Sequence, residues 1–130
     1  MQTIIKKIKT TALILFIGIV ASSIYSCKKE GPGGKSTIMG VVKHHSDFIP
    51  NATVYIKYGA IDFPGESTSN YDSQVTADAQ GNYQFTDLVK GDYYLYGYGY
   101  DATIFEDVKG GVAVNVKKNK TVETVVAVTE

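Results

Sequence analysis

From position 36 to the end of the chain, apolar and polar residues alternate with a period of two in short runs, and turn-forming residues interrupt the runs at close intervals. No stretch there keeps the 3.6-residue periodicity of a helix, so the pattern predicts strands. Thr37–Lys43 (TIMGVVK) is the first, followed by a polar turn through His44–Asp47 and then Ile49-Pro50-Asn51. In Ala52–Tyr58, Ala52, Val54 and Ile56 face one way and Thr53, Tyr55 and Lys57 the other, the signature of a half-buried strand. Gly59–Ser73 is a long loop with Pro64-Gly65 as its strongest turn signal. Gln74–Ala77 and Asn82–Thr86 are expected to form a hairpin about Asp78-Ala79-Gln80-Gly81, with Gly81 at positive φ and Tyr83 and Phe85 on one face. After Lys90-Gly91 come Asp92–Tyr100, a short strand Thr103–Val108, Gly110-Gly111, and Val112–Val116. Lys117–Lys120 turns the chain into Thr121–Val128, where Val122, Val126 and Val128 are in phase. Seven or eight short strands, each with one apolar face, predict an all-β fold: a single antiparallel β-sandwich over residues 36–130.

The first 26 residues follow a different logic. Met1–Lys9 is basic, Ala12–Ala21 (ALILFIGIVA) is an unbroken small or apolar run, and Ser22–Ser26 is rich in small residues. That order is a secretory signal peptide, and its apolar run is shorter than the about 20 residues a spanning helix needs. Ile24-Tyr25-Ser26-Cys27 resembles a bacterial lipobox. The resemblance implies cleavage between Ser26 and Cys27 and acylation of Cys27 with palmitate-type chains. Each buried methylene contributes ~0.8 kcal/mol, so two or three acyl chains hold the protein on the membrane. Residues 27–35, with Lys28–Lys35 (KKEGPGGK) rich in glycine and charge, are expected to be a flexible tether.

Composition sharpens this picture. Thirteen basic residues balance thirteen acidic ones, but Lys6, Lys7 and Lys9 lie in the signal segment, leaving ten against thirteen, or −3. A mildly acidic remainder argues against nucleic acid as a partner. The lone cysteine excludes a disulfide framework and any zinc site built on several thiolates. Ten tyrosines without a tryptophan are the one compositional excess.

The strand sequence carries a family resemblance. A Gly40-Val41-Val42 strand and Ile49-Pro50-Asn51-Ala52-Thr53-Val54 lead to Thr76-Ala77-Asp78-Ala79-Gln80-Gly81-Asn82-Tyr83-Gln84-Phe85. Leu88-Val89-Lys90-Gly91-Asp92-Tyr93-Tyr94-Leu95 and a valine-rich C-terminal pair of strands follow. Across Thr37–Val128 this resembles the carboxypeptidase regulatory-like domains, relatives of transthyretin-like (prealbumin-like) and collagen-adhesin B-type sandwiches, here as in small lipoproteins of Bacteroidetes-type bacteria. The resemblance implies a non-catalytic domain that supports or presents other molecules. The family's regular attachment to a larger receptor or enzyme is not expected here, and the 59–73 loop is longer than the family pattern. Enzymes on similar sandwiches do not fit. Hydroxyisourate hydrolases require a Tyr-Arg-Gly-Ser ending, and this chain has no arginine; intradiol dioxygenases need two well-separated histidines, and here the only two are adjacent. The expectation is a non-enzymatic, lipid-anchored outer-membrane protein without a cofactor, its partners being the membrane and an envelope protein or a glycan. The resemblance to such lipoproteins implies acids just after the cysteine where the protein is exported to the surface; Lys28-Lys29-Glu30 supplies one and leaves the leaflet open.

Few residue sets suggest chemistry. His44 and His45 offer two imidazoles with Asp47 as an oxygen donor, a zinc or copper set. Neighbours on a strand point to opposite faces, so the pair reads as a water-exposed turn and no metal site is expected. Asp78–Asn82 lacks the calcium-loop pattern, with Gln80 and Val89 at the third and twelfth positions. In Asp92–Tyr100 (DYYLYGYGY), Tyr94, Tyr96, Tyr98 and Tyr100 share one face, and Tyr93 and Leu95 the other. With Tyr93 and Leu95 in the core, the four even-numbered tyrosines point outward. They either cover the sheet, packed on Tyr55 or under the long loop, or form an exposed aromatic face for a sugar or a protein.

Cys27→Ser is expected to move the protein from the membrane to the soluble fraction on cell fractionation; unchanged membrane association contradicts lipidation.

Overall fold

The computed structural model describes residues 28–130; the signal segment, Ser26 and Cys27 lie outside the described residues. Eight strands follow one another: β1 (Pro32–His44), β2 (Asp47–Phe48), β3 (Thr53–Tyr58), β4 (Ser73–Thr76), β5 (Asn82–Leu88), β6 (Gly91–Asp101), β7 (Glu106–Val116) and β8 (Thr121–Ala127). A single 3-10 turn, Thr68–Asn70, lies in the long loop. The fold is an all-β sandwich of two four-stranded sheets.

In the first sheet β1 is central. It pairs antiparallel with β5, and β2 folds back antiparallel on its last residues. On its other side β1 pairs with β8 in parallel, from Thr37↔Thr121 to Lys43↔Ala127. Among the described residues this pair is the one departure from the antiparallel pattern. The second sheet runs β4-β3-β6-β7, antiparallel throughout.

Alternation places the core between the sheets. Ile38 and Val42 of β1, Tyr83 and Phe85 of β5, and Val126 meet Val54, Ile56, Tyr93, Leu95, Val108, Val114 and Val116 of the second sheet. Full burial of one such side chain contributes about 1.5–3 kcal/mol. Gly97 and Gly99 face inward on β6 and let the sheets close. A Cβ at 97 would stand 2.8 Å from Val126 Cγ1, and one at 99 would stand 2.6 Å from Ile49 Cγ2.

Three expectations are corrected. First, residues 32–35 belong to β1, so they are not part of the flexible tether expected over residues 27–35, and the sandwich starts before Ser36. The Gly31 N–H donates to Tyr93 Oη at 2.8 Å, and its carbonyl accepts from Val89 N–H at 2.8 Å. These bonds order a segment whose composition suggested none. Second, Gln74–Ala77 and Asn82–Thr86 do not form a hairpin, because β4 pairs with β3 and β5 with β1. The intervening turn crosses between sheets, since Tyr83 and Phe85 bury themselves from the opposite side. Third, Thr103–Phe105 lie in a turn, and Glu106–Val108 and Val112–Val116 are not separate strands. They merge into β7, paired with β6 without a register shift from Gly91↔Val116 to Asp101↔Glu106.

The crossing turn is still built from the expected residues. Asp78 Oδ1 accepts from Gln80 N–H and Asn82 N–H, both at 2.9 Å, and Oδ2 accepts from Asn82 Nδ2 at 3.1 Å. These bonds, the backbone bond from Asn82 first, hold the Asp78 carboxyl below the usual carboxylate range. Gly81 has φ 79, and a Cβ there would meet Val42 O at 3.1 Å and Ile49 O at 3.2 Å. Gly81→Val is therefore expected to cost about 2 kcal/mol, read as a lowered urea midpoint. A wild-type midpoint contradicts this role.

Candidate functional site

The outer face of the second sheet is aromatic. Uninterrupted alternation along β6 turns Tyr94, Tyr96, Tyr98 and Tyr100 outward and Tyr93 and Leu95 inward, both fully buried. The four do not form one exposed face. Residues 59–72 fold over the sheet and set Phe63 5.9 Å from Tyr94 and 5.6 Å from Tyr96, measured between ring centroids. Tyr71 stacks on Tyr96 at 5.6 Å and lies 5.7 Å from Tyr55. Tyr96 is thus 4 % exposed and Tyr94 half-buried, while Tyr98 and Tyr100 remain 43 % and 50 % exposed.

Local bonds fix the covering loop. Asp72 accepts from Tyr58 N–H at 2.8 Å and pairs with Lys57 at 3.3 Å, and its own N–H donates to Ile56 O. Asn70 Nδ2 donates to Pro64 O at 2.8 Å, and Tyr71 Oη donates to Gly65 O at 2.9 Å. Burial, reinforced by the neighbouring Tyr96 and Tyr94 phenols, pushes the Tyr71 hydroxyl up to about 12.

Where the loop ends its cover, a cleft of about 220 Å³ opens, lined by Tyr55, Glu66, Thr68, Tyr96, Tyr98 and Lys109. Lys109 lies opposite Tyr98 on β7 and pairs with Glu66 at 2.8 Å. The hydrogen-bonded Glu66 carboxylate raises the Lys109 ammonium, and the Asp107 carboxylate beside Tyr98 raises that phenol. The cleft therefore joins aromatic surface to an acid, a base and hydroxyls. Glu66, Thr68 and Lys109 carried no sequence signal, because the loop and β7 bring them together only in three dimensions. A wider hollow of about 870 Å³ lies against β1, β5 and β8, but its Asp78 is spent on the crossing turn.

A second cluster corrects the expected exposed histidine turn. His44 is 4 % exposed, because it continues the inward series of Ile38 and Val42 to the end of β1. Its Nδ1 meets Asp101 Oδ2 at 2.7 Å and its Nε2 meets Glu130 Oε2 at 2.8 Å. Asp101, also buried, accepts from Thr103 Oγ1 at 2.6 Å and Thr103 N–H at 2.8 Å. The Thr103 hydroxyl first, then His44, hold the Asp101 carboxyl down to about 2. The hydrogen bond to Asp101 outweighs burial and raises the His44 imidazole. His45 has left the strand with φ 52, which brings its ring to 4.3 Å from that of His44. Strand geometry separates neighbours, but it stops applying at that residue.

No protein-family model matches the chain, and no curated protein sequence matches it. Among solved structures, it is similar to a protein from Pseudomonas aeruginosa described as a "putative carbohydrate binding protein". The TM-score is 0.52 at 13% identity, covering 75% of this chain and 90% of that one. That likeness shows a shared fold.

Tyr71→Ala and Tyr96→Ala, singly and together, are expected to reveal a coupling of about 0.5–1.5 kcal/mol in unfolding free energy. Additive losses contradict the stacking of the loop on the sheet.

Proposed function

We propose that the protein is a non-catalytic, lipid-anchored binding module of the bacterial cell envelope, and that its tyrosine cleft takes a sugar. The cleft carries this reading. Sugars present an apolar C–H face to an aromatic ring and hydroxyls to charged and polar side chains, and Tyr98 with Glu66, Thr68 and Lys109 offers both. Preformed walls support it further, since the stacked Tyr71, Tyr96 and Tyr55 need no ordering when a ligand arrives. The similar fold from Pseudomonas aeruginosa, with its carbohydrate-binding description, is compatible with this reading. The lipid anchor and outer-membrane address rest on the Cys27 pattern, and the supporting, non-enzymatic role rests on the carboxypeptidase regulatory-like resemblance.

A protein partner is the second reading. Between β6 and β7 the chain exposes Ile104 at 42 % and Phe105 at 77 %, an apolar tip beside the half-exposed Tyr100. Such a tip is a contact site for another envelope protein.

Titration with a panel of mono- and oligosaccharides at millimolar concentration separates these readings. Binding is expected to weaken roughly five-fold in Tyr98→Ala, about 1 kcal/mol, with the melting temperature unchanged. No tyrosine-dependent binding across the panel overturns the sugar reading.

A further inference from the structure

The end of the sandwich where β1 and β6 finish holds a second set of convergent groups. One donor atom each from His44, His45 and Glu130 lies within 4.8 Å of the others. Tetrahedral zinc with ligand distances near 2.0–2.2 Å keeps its donor atoms about 3.3 Å apart, so a modest contraction completes such a set. The groups able to move are the exposed ones, His45 and Glu130. His44 is held by the fold.

The partner of His44 gives the set its direction. Asp101, fixed by Thr103, accepts at Nδ1 and leaves Nε2 aimed at Glu130. A buried carboxylate behind one imidazole nitrogen is how metal-binding histidines are oriented and made more basic. His45 adopts a left-handed backbone conformation that places its exposed ring beside that of His44. Among the described residues, no lysine pairs with Asp101 or Glu130; the neighbouring Lys43 lies over the Phe48 ring instead. Two carboxylates face the one His44 ring, and a cation entering between Nε2 and Glu130 takes the place of the proton that bridges them.

We propose that His44 Nε2, His45 and Glu130 form a three-ligand site for a divalent transition-metal ion of the zinc type, with Asp101 positioning His44. Two imidazoles and one carboxylate suit such ions rather than magnesium or calcium. Three protein ligands leave a fourth position for water or a small anionic or imidazole-bearing group. The site stands at the end of β1 and β6, apart from the tyrosine cleft, and is independent of the sugar reading.

Zinc chloride titrated into the EDTA-treated, desalted protein is the test. Saturable binding of one zinc per chain is expected, with a rise in melting temperature that EDTA reverses and magnesium does not reproduce. His45→Gly, which suits the positive φ and removes only an exposed ring, is expected to lower zinc affinity at least roughly ten-fold. It should leave the melting temperature in EDTA unchanged. Asp101→Asn is expected to lower affinity roughly 10–100-fold. No saturable binding at sub-millimolar zinc, or an affinity unchanged in His45→Gly, overturns the site.

Discussion

The rest of the molecule depends on the uninterrupted alternation of β6. This eleven-residue strand is paired along its length with β7 and over six residues with β3, and neither ladder shifts register. Each residue is therefore committed to one face. The odd series carries Tyr93 and Leu95 into the core, then two glycines where Ile49 and Val126 press in, then Asp101. The even series carries the tyrosines outward. A one-residue slip would put four phenols in the core and empty the aromatic face, so the core itself enforces the surface.

The same strand links the two clusters. Its middle carries Tyr96 and Tyr98, which the 59–72 loop and Lys109 turn into a cleft. Its end carries Asp101, which meets His44 because β1 keeps its own inward phase to its last residue. One cluster is aromatic with a charged rim, the other is imidazole and carboxylate. Each is built by the meeting of both sheets or of a sheet and a loop, and neither is a local motif.

That explains what the sequence made legible. Alternation located seven of the strands and most core positions, including Ala52, Val54, Ile56, Tyr93 and Leu95, because a period of two reports directly on which face is buried. It does not report which sheet a strand joins, so β4 and β5 looked like partners across Asp78–Gly81. Nor does it distinguish parallel from antiparallel neighbours, and the β1–β8 pair was invisible. His44 was in phase with Ile38 and Val42, but its polarity and its neighbour His45 suggested a turn. The cover over Tyr94 and Tyr96 came from a loop without periodicity, and its contacts depend on bonds such as Tyr71 to Gly65 and Asp72 to Tyr58. Composition alone also made residues 32–35 look unstructured, although backbone pairing needs no apolar side chain.

The parallel pairing of β1 with β8 also sets an order in time. Chains are made from the N-terminus, and β1 is the first of the described strands, yet one of its edges has no neighbour until Thr121–Ala127 exists. Its other edge, beyond the two residues that β2 covers, waits for β5. Sheet closure therefore waits until β8 has been made, and pairings this distant along the chain close slowly. Through that interval β1 presents open backbone edges, the form in which a chain can still be threaded or handed to a chaperone. The strand at the centre of the finished sheet is the one that stays unfinished longest.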